Sequence, residues 1–209
     1  MASALVVLNL KPEPGDVILD ACAAPGMKTS LIMQLTEGRA EVVAVDISEG
    51  RLSKMRRLMR LMNVNESRVH IARSDSRLIK LKGGEINKVL IDAPCTSSGA
   101  VSKDPGVKLI LDRRPGLVNH QSATQYSILS NLVSQFRGVE VVYATCSILP
   151  EEGEEVVDRL TKVLGVKLVK PDVGGLSDGY GNYPLSQSVG RVMPHVHGGE
   201  GFFVSKILA

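Results

Sequence analysis

Four short apolar runs constrain this chain most: Val17-Ile18-Leu19, Val42-Val43-Ala44-Val45, Val89-Leu90-Ile91 and Val141-Val142-Tyr143. Each is followed by small or polar residues and then by a helical pattern or a loop. A strand that is apolar throughout, rather than alternating, suits a parallel sheet covered on both faces. The segments between the runs carry helical spacing. Ser48 caps a predicted helix through Met62, with Leu52, Met55, Leu58, Met59 and Met62 on one face. Gln121 to Gln135 predicts a second helix. Glu151 to Leu164 predicts a third, opening after Pro150 with acids in its first turn. Phe202-Phe203-Val204 reads as a last strand. This alternation predicts an α/β fold with a doubly wound, mostly parallel sheet. Ala93 to His120 and Pro171 to Gly190 read as long irregular stretches, which in compact domains are often functional.

Composition bounds the remaining choices. The 209 residues, 44% hydrophobic and 22% charged, suit one globular domain spanning 1–209. No apolar run is long enough to span a bilayer as a helix. The start Met1-Ala2-Ser3-Ala4-Leu5 lacks the basic region of a secretory signal, so a cytoplasmic location is expected, with no membrane partner. A monomer is expected. The three cysteines, Cys22, Cys95 and Cys146, form no C-x-x-C pair, so neither a disulfide framework nor a zinc site is expected, and no metal. In a reducing compartment such cysteines are ordinarily small buried hydrophobes. His195 and His197 beside Gly198-Gly199 are too few ligands for a metal and suit a loop. A net charge of +3 permits a polyanionic partner without requiring one. With 3% aromatic residues and no Trp, a surface that stacks many bases is not evident.

Three segments carry chemistry. Asp20-Ala21-Cys22-Ala23-Ala24-Pro25-Gly26-Met27-Lys28-Thr29 follows the first strand and opens a helix. Small residues there let the backbone approach a ligand at the carboxyl end of a strand. Asp46 ends the second strand, where an acid accepts hydrogen bonds from a ribose diol and disfavours a 2′-phosphate. Without further information the pair also fits a plain tight turn capped by Asp46. The loop has one glycine, Gly26, rather than the three of G-x-G-x-x-G, and Met27 precedes Lys28 where a phosphate loop has glycine. It suits a cofactor without phosphates better than one with a pyrophosphate. The second segment, Asp92-Ala93-Pro94-Cys95-Thr96-Ser97-Ser98-Gly99, and the third, Tyr143-Ala144-Thr145-Cys146-Ser147, each place a cysteine just beyond a central strand. Active sites of open α/β sheets lie there, so two cysteines distant in sequence can face one cavity. Spacing alone does not say which cysteine does what.

These segments resemble the motifs of the RNA cytosine-5 methyltransferase family, the Sun/Nop group. That family carries D-A-C-A-A-P-G-G-K-T, D-A-P-C-[ST]-[GS]-x-G, and Y-x-T-C-S followed by P-E-E-x-E. Here Pro150-Glu151-Glu152-Gly153-Glu154 follows the third segment, and Gly201-Phe202-Phe203-Val204 resembles the family's last strand. Met27 departs from the pattern by replacing a glycine. Family members also carry an RNA-recognition segment upstream. This chain is therefore expected to be a fragment or short member whose first residues form only the helix before the first strand.

The resemblance implies an S-adenosylmethionine-dependent methyltransferase fold with an antiparallel C-terminal strand, and methylation of a cytosine in ribosomal or transfer RNA. It assigns the nucleophile to Cys146 and help in product release to Cys95. It implies that Asp92 bonds the base near nitrogen 3 as general acid, and that Lys28 lies near the reacting centre, favouring the thiolate. For S-adenosylmethionine it implies contacts from Cys22, Ala23, Ala24, Pro25, Gly26, Met27 and Lys28. Asp46 takes the ribose hydroxyls, Asp75 the adenine amine, and Asp92 lies near the methionine moiety, with Arg51 a further contact. Ser74-Asp75-Ser76 is also turn-rich, and the Cys22 side chain is expected to pack rather than react. Lys54, Arg56, Arg57 and Arg60 crowd one helix, and Arg113 and Arg114 sit in the long stretch after Asp92 as candidate RNA contacts. A nicotinamide-dependent oxidoreductase would use a similar sheet, but the single glycine and the lack of an evident hydride-transfer site count against it. A non-catalytic RNA-binding or assembly factor would have no use for paired thiols.

Overall fold

A computed structural model of the chain describes residues 2–81 and 86–209; Met1, with which the leader reading begins, lies outside them. In chain order the elements are α1 (Ala2–Leu10), β1 (Val17–Asp20), α2 (Met27–Leu35), β2 (Glu41–Asp46), α3 (Glu49–Leu61), β3 (Val69–Arg73) and β4 (Lys88–Asp92). There follow α4 (Gly106–Arg113), α5 (Leu117–Val133), β5 (Glu140–Thr145), α6 (Glu154–Leu164), β6 (Lys167–Val169), β7 (Ser177–Asp178), β8 (Val189–Val192), α7 (Pro194–His197) and β9 (Phe202–Leu208). The sheet runs β3-β2-β1-β4-β5-β9-β8-β7, with β6 also pairing β9. The first five strands are parallel, and β9 joins β5 antiparallel, opposing Tyr143 to Ser205 and Thr145 to Phe203. The expected mostly parallel sheet with an antiparallel C-terminal strand is what the chain forms.

The apolar runs supply two cores at once. Because side chains alternate along a strand, Ile18, Val42, Ala44, Leu90 and Val142 pack under α1, α2 and α3 against Val6, Leu10, Ile32, Leu52, Met55 and Met59. Their neighbours Leu19, Val45, Val89, Ile91, Val141 and Tyr143 pack under α5 and α6 against Ile128, Leu129, Leu132, Val156 and Leu160. Each such aliphatic side chain contributes about 2 kcal/mol by leaving water. A polar residue at any of these strand positions would break one core or the other.

The helices follow their caps with some revision. Ser48 caps α3, its hydroxyl accepting from the Arg51 amide at 3.4 Å; Leu52, Met55 and Met59 are buried, while Met62 lies past the helix end. The helix expected from Glu151 begins at Glu154. Pro150–Glu152 forms a separate 3₁₀ turn, because Gly153 at φ −130° and ψ −95° leaves the helical region. α5 starts before Gln121, at Leu117, and ends at Val133. The two stretches read as irregular carry structure: α4 and the first turn of α5 in one, β7 and the start of β8 in the other. Their signal is weak because α4 buries only Val107 and β7 is two residues long. β3 was unmarked by any apolar run; it is an edge strand with exposed His70 and Arg73.

Candidate active site

The chain leaves β1 toward β2 and β3, then returns to pair β4 on the other side of β1. Connections diverge at such a switch point and leave a crevice at the carboxyl ends of the strands. A cavity of about 490 Å³ opens there, and Cys22, Asp46, Asp75, Asp92, Cys95 and Cys146 are among its walls. A volume of this size suits a nucleoside-sized ligand together with part of a second one.

The first segment turns the chain from β1 into α2. Asp20 is buried, and its Oδ2 accepts from Thr29 Oγ1 at 2.7 Å, tying the strand end to the first turn of the helix. Its Oδ1 has no hydrogen-bond partner among the described residues, and burial raises the carboxyl to about 6. Gly26 adopts φ +103°, a left-handed conformation that costs other residues energy. A Cβ there would lie 2.8 Å from Met55 Cγ and 2.9 Å from Met59 Cε. The glycine thus admits α3 against the turn, rather than simply admitting a ligand. Ala23 and Ala24 are buried, Pro25 and Met27 are exposed, and of this segment only Ala21 and Cys22 reach the cavity wall. Burial pushes the Cys22 thiol up, and the Asp20, Asp92 and Asp46 carboxylates push it further, so it stays protonated.

Asp46 ends β2 almost fully buried. Its Oδ1 accepts from the Ser48 amide at 2.9 Å and its Oδ2 from the Ala24 amide at 3.3 Å. Arg51 reaches back from α3 to the Ala24 carbonyl and to Asp46, at 3.3 Å from Oδ2. Arg51 thereby clamps the first segment while lining the cavity. Asp75 also faces the cavity, held by Arg77, whose guanidinium donates to both of its oxygens and lowers its pKa. Ser76 Oγ donates to the Ala21 carbonyl at 2.5 Å, which fastens this turn to the end of β1.

The cysteines lie just beyond the ends of neighbouring strands β4 and β5, and their sulfurs lie 2.9 Å apart. The loop after β4 comes close enough because Gly99 has no side chain: a Cβ there would lie 2.0 Å from the Gly201 carbonyl oxygen. The Gly99 amide donates to the Cys146 carbonyl, and Gly201 donates back to the Gly99 carbonyl. Ser97 holds a left-handed φ of +58°, and its Oγ lies 3.5 Å from Cys146 Sγ. Hydrogen bonding from Cys95 pulls the Cys146 thiol down to about 7, against the opposing effect of burial; Ser97 assists. The same contact, with burial, pushes Cys95 well above its usual range. These effects favour the thiolate at Cys146 over one at Cys95. Lys28 Nζ pairs with Asp92 Oδ2 next to them. Its charge favours the Cys146 thiolate less than Cys95 or Ser97 does, and the Asp92 carboxylate beside it works in the opposite direction.

The fold thus gathers Cys22, Asp46, Arg51, Asp75, Asp92, Cys95 and Cys146 on one cavity, with Lys28 bonded to its rim. Ala23, Ala24, Pro25, Gly26 and Met27 stand behind that wall. Ser97, Arg77, His120, Gln121 and Thr124 line the cavity without having been singled out. Ser97 lies within a segment already singled out; the α5 residues carried no local signal. Arg113 and Arg114 line a separate cleft with Leu109 and Ile110. On α3, Arg56 pairs with Glu49 at 2.6 Å and Arg60 with Glu66 at 3.3 Å. His197 lies in α7, where its Nδ1 accepts from the Met193 amide at 2.8 Å. Among the described residues no helix is long and apolar enough to cross a membrane.

This sheet order, with its cavity at the β1/β4 switch point, is the Rossmann-like fold of the S-adenosylmethionine-dependent methyltransferases. The sequence matches the family described as 16S rRNA methyltransferase RsmB/F over residues 7–208, and the chain belongs to that family. It is 33% identical over 216 residues to a 28S rRNA (cytosine-C(5))-methyltransferase of Mus musculus, covering 98% of this chain and 27% of that protein. It is 34% identical over 201 residues to a tRNA (cytosine(72)-C(5))-methyltransferase of Pyrococcus horikoshii, covering 95% of this chain and 48% of that protein. The crystal structure of NSun6 from Pyrococcus horikoshii with SFG superposes at a TM-score of 0.83 with 31% identity, covering 100% of this chain and 51% of that one. The chain thus spans about half or less of the length of these relatives. Family membership sets aside the nicotinamide-dependent oxidoreductase.

Proposed function

We propose that residues 1–209 form a single catalytic domain that transfers a methyl group from S-adenosylmethionine to carbon 5 of a cytosine in RNA, with Cys146 as covalent nucleophile. The observation that carries this reading is the pair of sulfurs 2.9 Å apart beside the Lys28–Asp92 ion pair. The relatives named for ribosomal and transfer RNA support RNA as the substrate class.

The residues fit the cofactor. Asp46 and Asp75 present carboxylate acceptors to the cavity, suited to ribose hydroxyls and an exocyclic amine, and no glycine-rich phosphate cradle competes. When bound, S-adenosylmethionine supplies a methyl group activated by its positively charged sulfur.

Carbon 5 of cytosine is a weak nucleophile, and a thiolate adding at carbon 6 corrects this. The Cys146 thiolate forms the S–C6 bond, and the C5–C6 π electrons shift toward carbon 5 and, through the ring, toward nitrogen 3. The Asp92–Lys28 pair meets the base near nitrogen 3, and the ammonium proton that Asp92 holds there limits the charge that builds. Carbon 5 would then bond the methyl group as its bond to the sulfonium sulfur breaks, leaving S-adenosylhomocysteine. Once Cys146 is a thioether its charge is gone, and so is the main influence that kept Cys95 protonated. Cys95 then gives its proton to solvent and, as thiolate, takes the carbon 5 proton; that C–H pair restores the C5–C6 bond and Cys146 leaves as thiolate.

The direct test is to incubate the protein with RNA and methyl-labelled S-adenosylmethionine and digest the RNA to nucleosides. Label in 5-methylcytidine is expected. Label in any other nucleoside would overturn the assignment.

A further inference from the structure

We infer that Glu152 is a positioning residue that sets the distance between the Cys95 and Cys146 sulfurs; the inference rests on the proposed function for its catalytic consequence, not for its geometry. Glu152 lies in the 3₁₀ turn after Cys146 and is fully buried. Its carboxylate does not bond its own turn. Oε1 accepts from the Thr96 amide at 2.9 Å and from Gln125 Nε2 at 3.0 Å, and Oε2 accepts from Thr96 Oγ1 at 2.5 Å. Thr96 is the residue next to Cys95. Gln125 Nε2 also donates to the Pro94 carbonyl at 2.9 Å, so both neighbours of Cys95 are held through one network. The Glu152 carbonyl meanwhile accepts from Tyr143 Oη at 2.9 Å and from Thr145 Oγ1 at 3.2 Å, in the strand that carries Cys146.

One residue therefore joins the two cysteine loops through its side chain on one side and its backbone on the other. Burying a carboxylate costs several kcal/mol that an apolar residue would not incur. Three donors converging on two oxygens is a demand that an acceptor-only group meets and an apolar group cannot. Without it, the Thr96 amide and one Gln125 N–H are left unpaired, and the Cys95 loop keeps only the Gln125–Pro94 bond from this network. A displacement on the order of 1 Å is enough to cost a reaction one to two orders of magnitude in rate.

The sulfur–sulfur distance is measured by mild oxidation with an azodicarboxamide. The reagent takes two electrons and two protons from the two thiols, becoming a hydrazine as the S–S bond forms, and peptide mapping by mass spectrometry follows Cys95–Cys146 coupling. Glu152→Ala should slow coupling by roughly tenfold or more. Glu152→Gln should recover most of the rate, because its amide oxygen accepts from Thr96 and Gln125 while the Thr96 hydroxyl turns to accept from its NH₂. Thr96→Val, which removes one hydroxyl, should slow coupling about threefold and keeps the test open if Glu152→Ala does not fold. S-adenosylhomocysteine affinity should stay within about twofold in every folded variant, since none touches the Asp46 end of the cavity. With RNA and S-adenosylmethionine, Glu152→Ala should accumulate a denaturation-resistant protein–RNA adduct as Cys95→Ala does, because a displaced Cys95 cannot take the carbon 5 proton.

Coupling at the wild-type rate in Glu152→Ala, or in Thr96→Val if that is the variant that folds, overturns the inference. An adduct with Cys95→Ala but not with Glu152→Ala overturns it too. Slowed coupling with no adduct in either variant upholds the positioning role and instead overturns the covalent mechanism it was built on.

Discussion

The first segment, Asp20 to Thr29, and the pair of cysteine loops sit on the same cavity but are built differently. The first is contiguous: one strand end, one turn and one helix start, held by Asp20 to Thr29 at 2.7 Å and by Arg51 on the Ala24 carbonyl. Most of it packs inward, and Gly26 is fixed by Met55 and Met59 on α3. The cysteine loops are 51 residues apart and meet only because β4 and β5 are neighbours, yet they place two sulfurs 2.9 Å apart. The difference teaches that a compact motif in sequence can be mostly scaffold, while reactive geometry can come from residues that share no local pattern. On the proposed function, the contiguous scaffold governs binding and stability and the non-local pair governs the chemistry.

The largest effect expected from the first segment is on cofactor binding. S-adenosylhomocysteine at a hundredfold excess over its Kd should stabilise the protein by about 2.7 kcal/mol, while NAD at the same concentration should not. Asp46→Ala should lose most of this gain, and Cys95→Ala should keep it. Unfolding curves with each ligand check this. Stabilisation by NAD alone, or equal losses from Asp46→Ala and Cys95→Ala, would break the division between scaffold and chemistry.

A somewhat smaller effect comes from Asp20. Its folded-state pKa is raised to about 6 from an ordinary 3.8, chiefly by burial. A raised folded pKa means the folded state holds a proton that the unfolded state has given up. That contribution is fully present below about pH 4 and is lost as pH rises through about 6. Asp20→Asn keeps an oxygen to accept from Thr29 and removes the charge. Its stability relative to the unsubstituted chain should therefore rise between pH 4 and pH 6–7, by about 2 kcal/mol. Chemical denaturation of both proteins across that range checks it, and parallel curves would remove the strain attributed to the buried carboxylate.

How much was legible in the sequence follows the same division. The apolar runs marked β1, β2, β4 and β5, because strands covered on both faces need aliphatic residues at every position. They missed β3, an edge strand, and β8 and β7, which join the sheet in turn, β8 on β9 and β7 on β8, rather than through their own composition. Ser48 was recognisable as a cap because capping is local. Asp46, Asp92, Cys95 and Cys146 were recognisable because each ends a strand or lies just beyond one. His120, Gln121 and Thr124 were not, because only the packing of α5 over the sheet turns them to the cavity. The helix expected at Glu151 starts late for a related reason: Glu152 faces a partner loop 56 residues away in sequence.

The smallest effect sharpens the cysteine side. The hydrogen bond from Cys95 is the largest influence lowering Cys146 to about 7. Removing it in Cys95→Ala should move the pH midpoint of Cys146 alkylation by iodoacetamide upward, toward the ordinary 9.0. Below that midpoint the variant should react more slowly than the unsubstituted chain. An unchanged midpoint would mean that Ser97 and Lys28 hold the thiolate without Cys95.

The central claim is that Cys146 attacks and Cys95 releases. The most direct measurement is a denaturing gel of the two alanine variants after incubation with substrate RNA and S-adenosylmethionine. Cys146→Ala should form no adduct and transfer no methyl group, since nothing remains to activate carbon 5. Cys95→Ala should retain a protein–RNA band that survives denaturation, because the methylated base cannot shed its proton and free Cys146. An adduct with Cys146→Ala and none with Cys95→Ala would contradict the assignment.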